Sequence, residues 1–354
     1  MSQERLSEQG KPESGPTDSD RIGAAVGHAA RPPHPVPGVA AGRPRRALAQ
    51  LVKTLFGVLV LVFGVIFVAR RWNDLTAALA EAKPVWIVVA LALAAAGQWA
   101  AAFGFGSVLT AVSDKLPSVA SARIYFVSQL GKYIPGSVWP IVAVAEMCRR
   151  HRIGRLAAAT SGALAMLFSL ITAGLVGIVL VLVGSVGGGT DLWWLLLLIP
   201  LAVLIAQPRV IKAIVNLVMR LARRPHIELD LTWRVLRGSL GWPMVSWLLL
   251  GGQCWALVVA LGGDALSSLA PAIGGFALAY AAGTLFIPAP AGAGVREAVL
   301  AVALAGVIDD NSTFTHDSVI VVVLLSRVLL AVLDFAQAGV AVLVARRSAA
   351  GRPN

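Results

Sequence analysis

Charged side chains are scarce in this sequence. Asp, Glu, Lys and Arg make up 14% of it, whereas 57% of the residues are hydrophobic; ordinary soluble domains carry about a quarter of charged residues. The mean hydropathy is +0.78. Several apolar runs are long enough to cross a bilayer as a helix, which takes roughly 20 residues. The composition therefore excludes an ordinary soluble enzyme and indicates an integral membrane protein.

Cysteine and histidine are also rare. The two cysteines, Cys148 and Cys254, are too few for a disulfide framework or a four-cysteine zinc site, and we interpret both as packing residues. The five histidines stand apart, without metal-ligand spacing. No phosphate-binding loop and no serine or cysteine nucleophile motif occurs. We therefore expect no metal, no cofactor and no enzymatic activity.

Acidic residues are fewer than basic residues, 18 against 30, and the net charge is +12. The basic segments carry no interleaved aromatic residues, so we do not expect nucleic acid as a partner. Basic loops instead face anionic lipids on the cytoplasmic side. Lys and Arg concentrate at 149–155, 207–240 and 346–354 and are absent from 185–191, 263–271 and 309–316. We predict a multi-pass protein of the bacterial inner membrane with both termini in the cytoplasm.

The chain divides into a tail and an apolar domain. Residues 1–46 are polar and proline-rich, which predicts a disordered cytoplasmic tail. A polytopic transmembrane domain follows at 47–346, and a second cytoplasmic tail at 347–354. The apolar runs are too long for strands, so the predicted fold class is all-α. Six runs are unbroken and are predicted to be full spans: 51–69, 85–112, 156–184, 192–206, 241–262 and 317–345.

Two further apolar stretches, 124–147 and 272–308, are interrupted by proline and glycine. The interruptions hold Pro135, Gly136, Pro288, Pro290, Gly292 and Gly294. The positions of the basic loops require the chain to leave the membrane on the side where it enters, so we interpret each stretch as a re-entrant hairpin. The two hairpins are expected to have opposite orientation, as in inverted-repeat transporters. The alternative is that the prolines only kink two ordinary helices.

Such interruptions point to a polar cavity. Backbone outside a helix cannot face lipid and must line a cavity or be buried in protein. The N-termini of half-helices also carry partial positive charge, which suits an anion.

Polar side chains accompany the interruptions and the last span. They are Lys132, Tyr133, Arg296, Glu297, Arg327 and Asp334. A charged side chain at membrane depth costs about 2.5–3.5 kcal/mol on insertion scales, so it normally faces a cavity or a partner. We predict that Glu297 pairs with Arg327, which leaves Arg296 and Lys132 for a substrate anion. The alternatives are that all these charges form structural ion pairs, or that Lys132 reaches the membrane surface.

One connection contains an amphipathic basic pattern. At 209–224, polar residues recur at steps of three and four, and apolar residues fill the positions between them. This pattern predicts a helix lying on the inner membrane surface against anionic lipids. The alternative is a cytoplasmic extension of the preceding span.

The broken segments resemble those of a known family. QLGKYIPGSVWP at 129–140 and PAPAGAGVREA at 288–298 are similar to two signatures of the lysylphosphatidylglycerol synthase transmembrane region, and Arg327 followed by Asp334 is similar to its final helix. The resemblance covers about 50–345. Many members have Gly-Gly-Asp after the Pro-Gly, where this sequence has Val138-Trp139-Pro140, so the resemblance leaves the substrate open.

The resemblance implies lipid translocation between leaflets. Its implied substrate is an anionic or aminoacylated phospholipid, or a lipid-linked sugar. Its implied path includes Pro135, Gly136, Gly292, Gly294, Arg296, Glu297 and Arg327. Full synthases also carry a soluble aminoacyl-transferase domain that is absent here, so we do not expect this chain to aminoacylate lipid. A scaffold or regulator of an envelope glycosyltransferase is the alternative function, and homo-oligomerisation is left open.

Overall fold

A computed structural model of the chain describes residues 72–112, 116, 118–134, 138–184, 197–221, 223–225, 229–286, 292–308 and 314–350. Over these residues the chain forms eleven α-helices and no β-strand, which confirms the all-α fold class. The helices are α1 (Trp72–Glu81), α2 (Pro84–Leu109), α3 (Ser118–Gln129), α4 (Trp139–Cys148), α5 (Arg155–Gly184), α6 (Leu198–Ile205), α7 (Pro208–Leu221), α8 (Trp233–Ala260), α9 (Leu269–Leu285), α10 (Val295–Ala305) and α11 (His316–Ala350). The predicted tail at 1–46 and the first predicted span at 51–69 lie outside the described residues.

Four helices are long and apolar enough to cross a membrane. They are α2, α5, α8 and α11, and they match four of the six predicted spans. Large apolar side chains point away from the protein along the bundle: Val88 is 65% exposed and Val332 is 61% exposed. An apolar surface of this kind is suited to lipid.

The predicted span at 241–262 begins too late. Its helix, α8, starts at Trp233, because the Thr232 hydroxyl accepts a hydrogen bond from the Val235 amide (3.3 Å) and caps the helix. Arg234 and Arg237, which belong to the basic segment 207–240, therefore lie on its first two turns. A prediction based on the apolar run alone misses these polar turns.

The predicted span at 192–206 differs more. Its described part contains α6, a helix of only eight residues, and α7 leaves it at an angle of 70°. The described residues therefore hold four helices that could cross the membrane, or five if α6 and α7 form one bent span. The bend argues against α7 as a straight extension of the preceding span. On α7, Ile211 and Val215 are buried while Lys212 and Arg220 are exposed, in agreement with the predicted amphipathic pattern.

Both broken stretches fold as helical hairpins. In the second, α9 and α10 run antiparallel, since Gly275 lies against Ala303 and Gly283 lies against Gly292. In the first, α3 continues into a 3₁₀ turn at Leu130–Tyr133 and packs against α4. Two packed helices in each stretch exclude the alternative of a single kinked helix. Pro135, Gly136 and Pro290 lie outside the described residues.

The second hairpin doubles back so tightly because two glycines meet. A Cβ added at Gly292 would lie 2.6 Å from the Gly283 Cα, and Gly292 has a φ of +68°. The first hairpin has a comparable contact, in which a Cβ at Gly131 would lie 2.8 Å from the Pro140 nitrogen. These approaches hold the two helices of each hairpin close to each other.

The order of elements repeats along the chain. A long helix, a hairpin and a second long helix occur first as α2, α3–α4 and α5, and again as α8, α9–α10 and α11. The contacts follow the same pattern: α2 packs against α8, α5 against α9, and α11 against α3. The first helix of each hairpin thus packs on the long helix that closes the other half. Inversion of the two halves relative to the membrane stays a prediction.

A hydrogen-bonded turn leads from α8 into α9. The Asp264 carboxylate accepts hydrogen bonds from the backbone amide and the hydroxyl of Ser267 (both 2.8 Å) and from the Leu266 amide (3.1 Å). These hydrogen bonds, that from the Ser267 amide first, lower the pKa of Asp264. The ionised side chain therefore orders the connection that positions the second hairpin.

The main apolar core lies between α8, α9, α10 and α11. Its fully buried members include Leu257, Phe276, Leu304 and Val322. Cys254 belongs to the same core. Cys148, the last residue of α4, is buried in a smaller core, and both thiols are free. This burial agrees with their interpretation as packing residues.

Candidate functional site

A cavity of about 220 Å³ lies between the hairpins and the long helices. The helices α2, α3, α4, α5, α8, α9, α10 and α11 and the 3₁₀ turn at 130–133 all contribute to its wall. Its polar and aromatic wall residues include Gln98, Tyr125, Lys132, Tyr133, Trp247, Tyr280, Thr284, Arg296, Arg327 and Asp334. The cavity therefore brings together residues from both halves of the chain.

Asp334 of α11 is the centre of a polar cluster in this wall. Its side chain is only 5% exposed. One carboxylate oxygen lies 2.6 Å from the Lys132 ammonium and accepts a hydrogen bond from the Tyr133 hydroxyl at 2.6 Å. The other accepts a hydrogen bond from the Gln98 amide nitrogen at 3.0 Å. The three donors join the 3₁₀ turn of the first hairpin and α2 to α11.

A second ion pair joins α11 to the second hairpin. Arg327 Nη1 lies 2.6 Å from Glu297 Oε1, with both side chains a little under one-third exposed. Arg327 and Asp334 are two helical turns apart, about 10 Å along the axis. One helix thus holds the first hairpin through Asp334 and the second through Arg327.

Glu297 also caps its own helix. Its second carboxylate oxygen accepts a hydrogen bond from the Gly294 amide at 2.6 Å, at the N-terminus of α10. A carboxylate in the first turn of a helix is favourable because it complements the helix dipole. The N-terminus of α10 therefore carries a carboxylate of the protein itself, whereas the sequence suggested that it was left for a substrate anion.

Arg296 differs from the other cations of the site. Its guanidinium lies over the rings of Phe276 and Tyr280, 4.8 Å and 5.6 Å from their centroids. Among the described residues it makes no ion pair. Cation–π contacts of this kind contribute about 0.5–2 kcal/mol each. They orient the side chain at the cavity without neutralising its charge.

The sequence of the chain was compared with those of known protein families and curated proteins. The chain matches the sequence model of the lysylphosphatidylglycerol synthase transmembrane region over residues 50–333. It belongs to this family. No curated protein matches the chain. The match confirms the resemblance and the membrane location, and it includes both hairpins but ends one residue before Asp334.

In the structure of this family member, most of the predicted site residues lie at the cavity or next to it. The cavity is lined by Lys132, Tyr133, Gly292, Arg296, Arg327 and Asp334. Gly294 lies at the start of α10, and Glu297 lines a small adjoining space of about 10 Å³. The three remaining residues, Pro135, Gly136 and Pro290, lie outside the described part of the chain.

Two expectations about ion pairing had different outcomes. The predicted pair between Glu297 and Arg327 is present. Lys132, predicted to be left for a substrate anion, instead pairs with Asp334. The sequence could not show this, because the contact depends on how the first hairpin packs on α11, 202 residues away in the chain. The pair also excludes the alternative in which Lys132 extends to the membrane surface.

Four cavity residues, Gln98, Tyr125, Trp247 and Tyr280, were not predicted for the site from the sequence. The chain has three tyrosines, and all of them, Tyr125, Tyr133 and Tyr280, line the cavity. Gln98 hydrogen-bonds to Asp334 from the middle of an apolar helix. A rare polar aromatic residue, or a single amide inside a predicted span, was a signal that could have identified them. No such signal was available for Trp247, since tryptophans also occur on the lipid-facing surface.

Proposed function

We propose that this protein carries a phosphate-bearing lipid between the leaflets of the bacterial inner membrane, and that it catalyses no chemical reaction. The observation that supports this proposal is Arg296, a guanidinium at the cavity wall with no ion pair among the described residues. A cation at membrane depth is normally neutralised by a partner or faces water. A lipid phosphate would supply that partner.

The balance of charge around the cavity supports an anionic headgroup. The cations are Arg296, Arg327 and Lys132, and the carboxylates are Glu297 and Asp334. Both carboxylates are engaged by cations other than Arg296, so the cluster has one positive charge in excess. That excess matches the single negative charge of a phosphodiester. Guanidinium groups also form paired, directional hydrogen bonds to phosphate oxygens.

The shape of the protein suits a substrate that remains partly in the bilayer. The outer surface is apolar, as Val88 on α2 and Val302 on α10 illustrate (65% and 76% exposed). The acyl or polyprenyl chains would stay in the membrane while only the headgroup occupies the cavity. Rocking of the two halves against each other would then expose the headgroup to either side, as in transporters built from repeated halves.

The family and the cavity together support the proposed substrate class. We include anionic phospholipids, aminoacylated phospholipids and lipid-linked sugars, because each carries a phosphate that Arg296 would bind. The tyrosine hydroxyls and amide groups of the wall would hydrogen-bond to the rest of the headgroup.

Reconstitution into vesicles tests this proposal. Purified protein in liposomes that contain fluorescent phosphatidylglycerol is expected to move the label between leaflets, and Arg296→Ala is expected to reduce the rate roughly ten- to a hundredfold, since a hydrogen bond to a charged group is worth about 1.5–3 kcal/mol. Arg234→Ala is the matched control, because it removes an exposed arginine at the start of α8 that does not line the cavity.

Two outcomes would count against transport. The proposal fails if the wild-type protein moves neither phosphatidylglycerol nor a polyprenyl-phosphate sugar. It also fails if Arg296→Ala and Arg234→Ala are equally active. A cellular phenotype that depends on a co-purifying glycosyltransferase but not on Arg296 would instead support the scaffold function.

A further inference from the structure

The carboxylate of Asp334 lies in a site that could hold another anion. Lys132, Tyr133 and Gln98 direct an ammonium, a hydroxyl and an amide N–H at its two oxygens, at 2.6–3.0 Å. All three groups donate hydrogen bonds, and none requires a carboxylate rather than a phosphate. All three side chains also line the cavity that contains Arg296.

We propose that Gln98, Lys132 and Tyr133 form a second anion-binding site, which Asp334 occupies when substrate is absent. In this proposal, which rests on the proposed function, the lipid phosphate takes the place of the Asp334 carboxylate during part of the transport cycle. Asp334 is then an internal competitor of the substrate. It keeps the three donors satisfied while the site holds no lipid, since a buried donor without a partner is costly.

The positions of the two sites favour transfer between them. Arg296 belongs to the second hairpin and Lys132 to the first, so the two cationic groups lie on opposite halves of the chain. A phosphate that moves from Arg296 to Lys132 passes from one half to the other. Movement of the two halves would then separate the phosphate, now bound at Lys132, from Arg296.

A competitor in the second site also promotes release. Transport requires binding that is strong enough for the substrate to be taken up and weak enough for it to leave. Three donors without a competing anion would hold a phosphate tightly. The return of the Asp334 carboxylate to Lys132 replaces the departing phosphate, so the cation is not left unpaired in an apolar environment.

Replacement of Asp334 by its neutral isostere tests the inference. Asp334→Asn is expected to lower the half-saturating mole fraction of fluorescent phosphatidylglycerol about tenfold and to lower the maximal flux, because substrate binds without competition and leaves slowly. Asp334→Glu, which keeps an internal anion, is expected to keep a half-saturating mole fraction close to that of the wild type. Glu146→Gln is the control, because this carboxylate is exposed and, among the described residues, its ion pairs are with Arg149 and Arg155 outside the cavity.

A binding measurement separates this inference from the proposed function. Glycerol 3-phosphate is titrated into purified protein while the fluorescence of Trp247 and the other tryptophans is recorded. Asp334→Asn is expected to bind it about tenfold more tightly than the wild type. If the wild type shows no lipid flux, transport is refuted, and this titration still tests the second anion site.

A purely structural role for Asp334 gives a different result. If the aspartate only fastens the first hairpin to α11, Asp334→Asn lowers the flux without lowering the half-saturating mole fraction and without tighter binding of glycerol 3-phosphate, and the inference is wrong. Should this variant not fold, the double variant Lys132→Met/Asp334→Asn removes both charges together. It is expected to bind no more tightly than the wild type and to lose flux. Wild-type flux and affinity in the double variant would overturn the inference.

Discussion

The contact between Gly283 and Gly292 yields the sharpest prediction about how the site is built. Replacing Gly292 by alanine destabilises the protein in two ways. The φ of +68° is left-handed, which costs a residue with a side chain about 1–2 kcal/mol. The new Cβ would also lie 2.6–2.8 Å from backbone atoms of Gly283, and such overpacking typically costs about 1–3 kcal/mol. Gly292→Ala is therefore expected to lower the free energy of unfolding by about 2–5 kcal/mol.

Substitutions of two other glycines distinguish the backbone cost from the steric cost. Gly294 has a φ of +87° but nothing within 4 Å of an added Cβ, so Gly294→Ala should lose only the backbone contribution, about 1–3 kcal/mol. Gly174 lies inside α5, also with nothing within 4 Å, and Gly174→Ala should stabilise the helix by about 0.5–1 kcal/mol. Unfolding in detergent, followed by tryptophan fluorescence, gives the order of stability. Equal stability of Gly292→Ala and Gly174→Ala would refute the close approach in the second hairpin.

Two further predictions concern α11 and α7. In a double-mutant cycle, Glu297→Gln and Arg327→Gln should each lower the free energy of unfolding by about 1–3 kcal/mol, less than for a fully buried pair. The double variant should lose less than the sum of the two single losses. Strict additivity in the same unfolding assay would argue against the pair. Replacing Lys212 and Arg220 of α7 by glutamine should remove about 1 kcal/mol per residue of the extra stability that nanodiscs with anionic lipid confer. A lipid dependence identical to that of the wild type would show that α7 does not contact the anionic surface.

The helical elements could be predicted largely from local patterns. Long apolar runs predicted α2, α5, α8 and α11, because a helix that crosses a membrane is apolar over most of its length. The start of α8 was missed, since its first turns carry Arg234 and Arg237. The 70° bend between α6 and α7 could not be predicted either, because the hydropathy pattern indicates the length and composition of a helix but not its direction.

Several charged residues of the candidate cavity could be predicted from the sequence, but only part of their pairing could. Charged residues beside helix breaks are expensive at membrane depth, so Arg296, Glu297 and Arg327 could be assigned to one polar region before the structure was known. Their partners depend on distant packing. Lys132 meets Asp334 only because the first hairpin lies against α11, and sequence spacing contains no information on that contact.

The aromatic wall of the cavity illustrates a second limit. Tyr280 lies 4.3 Å from Trp247, centroid to centroid, and also orients Arg296. Tyrosines in apolar helices commonly lie at the membrane interface, where their hydroxyls reach water. Only the fold shows that the hydroxyl-bearing rings of this chain face inward, towards the cavity.

The most direct test of the central claim is the identity of the lipid that the cavity retains. Native mass spectrometry of gently purified protein is expected to detect a bound phosphate-bearing lipid on the wild type and on Arg234→Ala, and to detect little or none on Arg296→Ala. Equal retention of phosphate-bearing lipid by Arg296→Ala and the wild type would contradict the claim that this arginine binds the phosphate of a transported lipid.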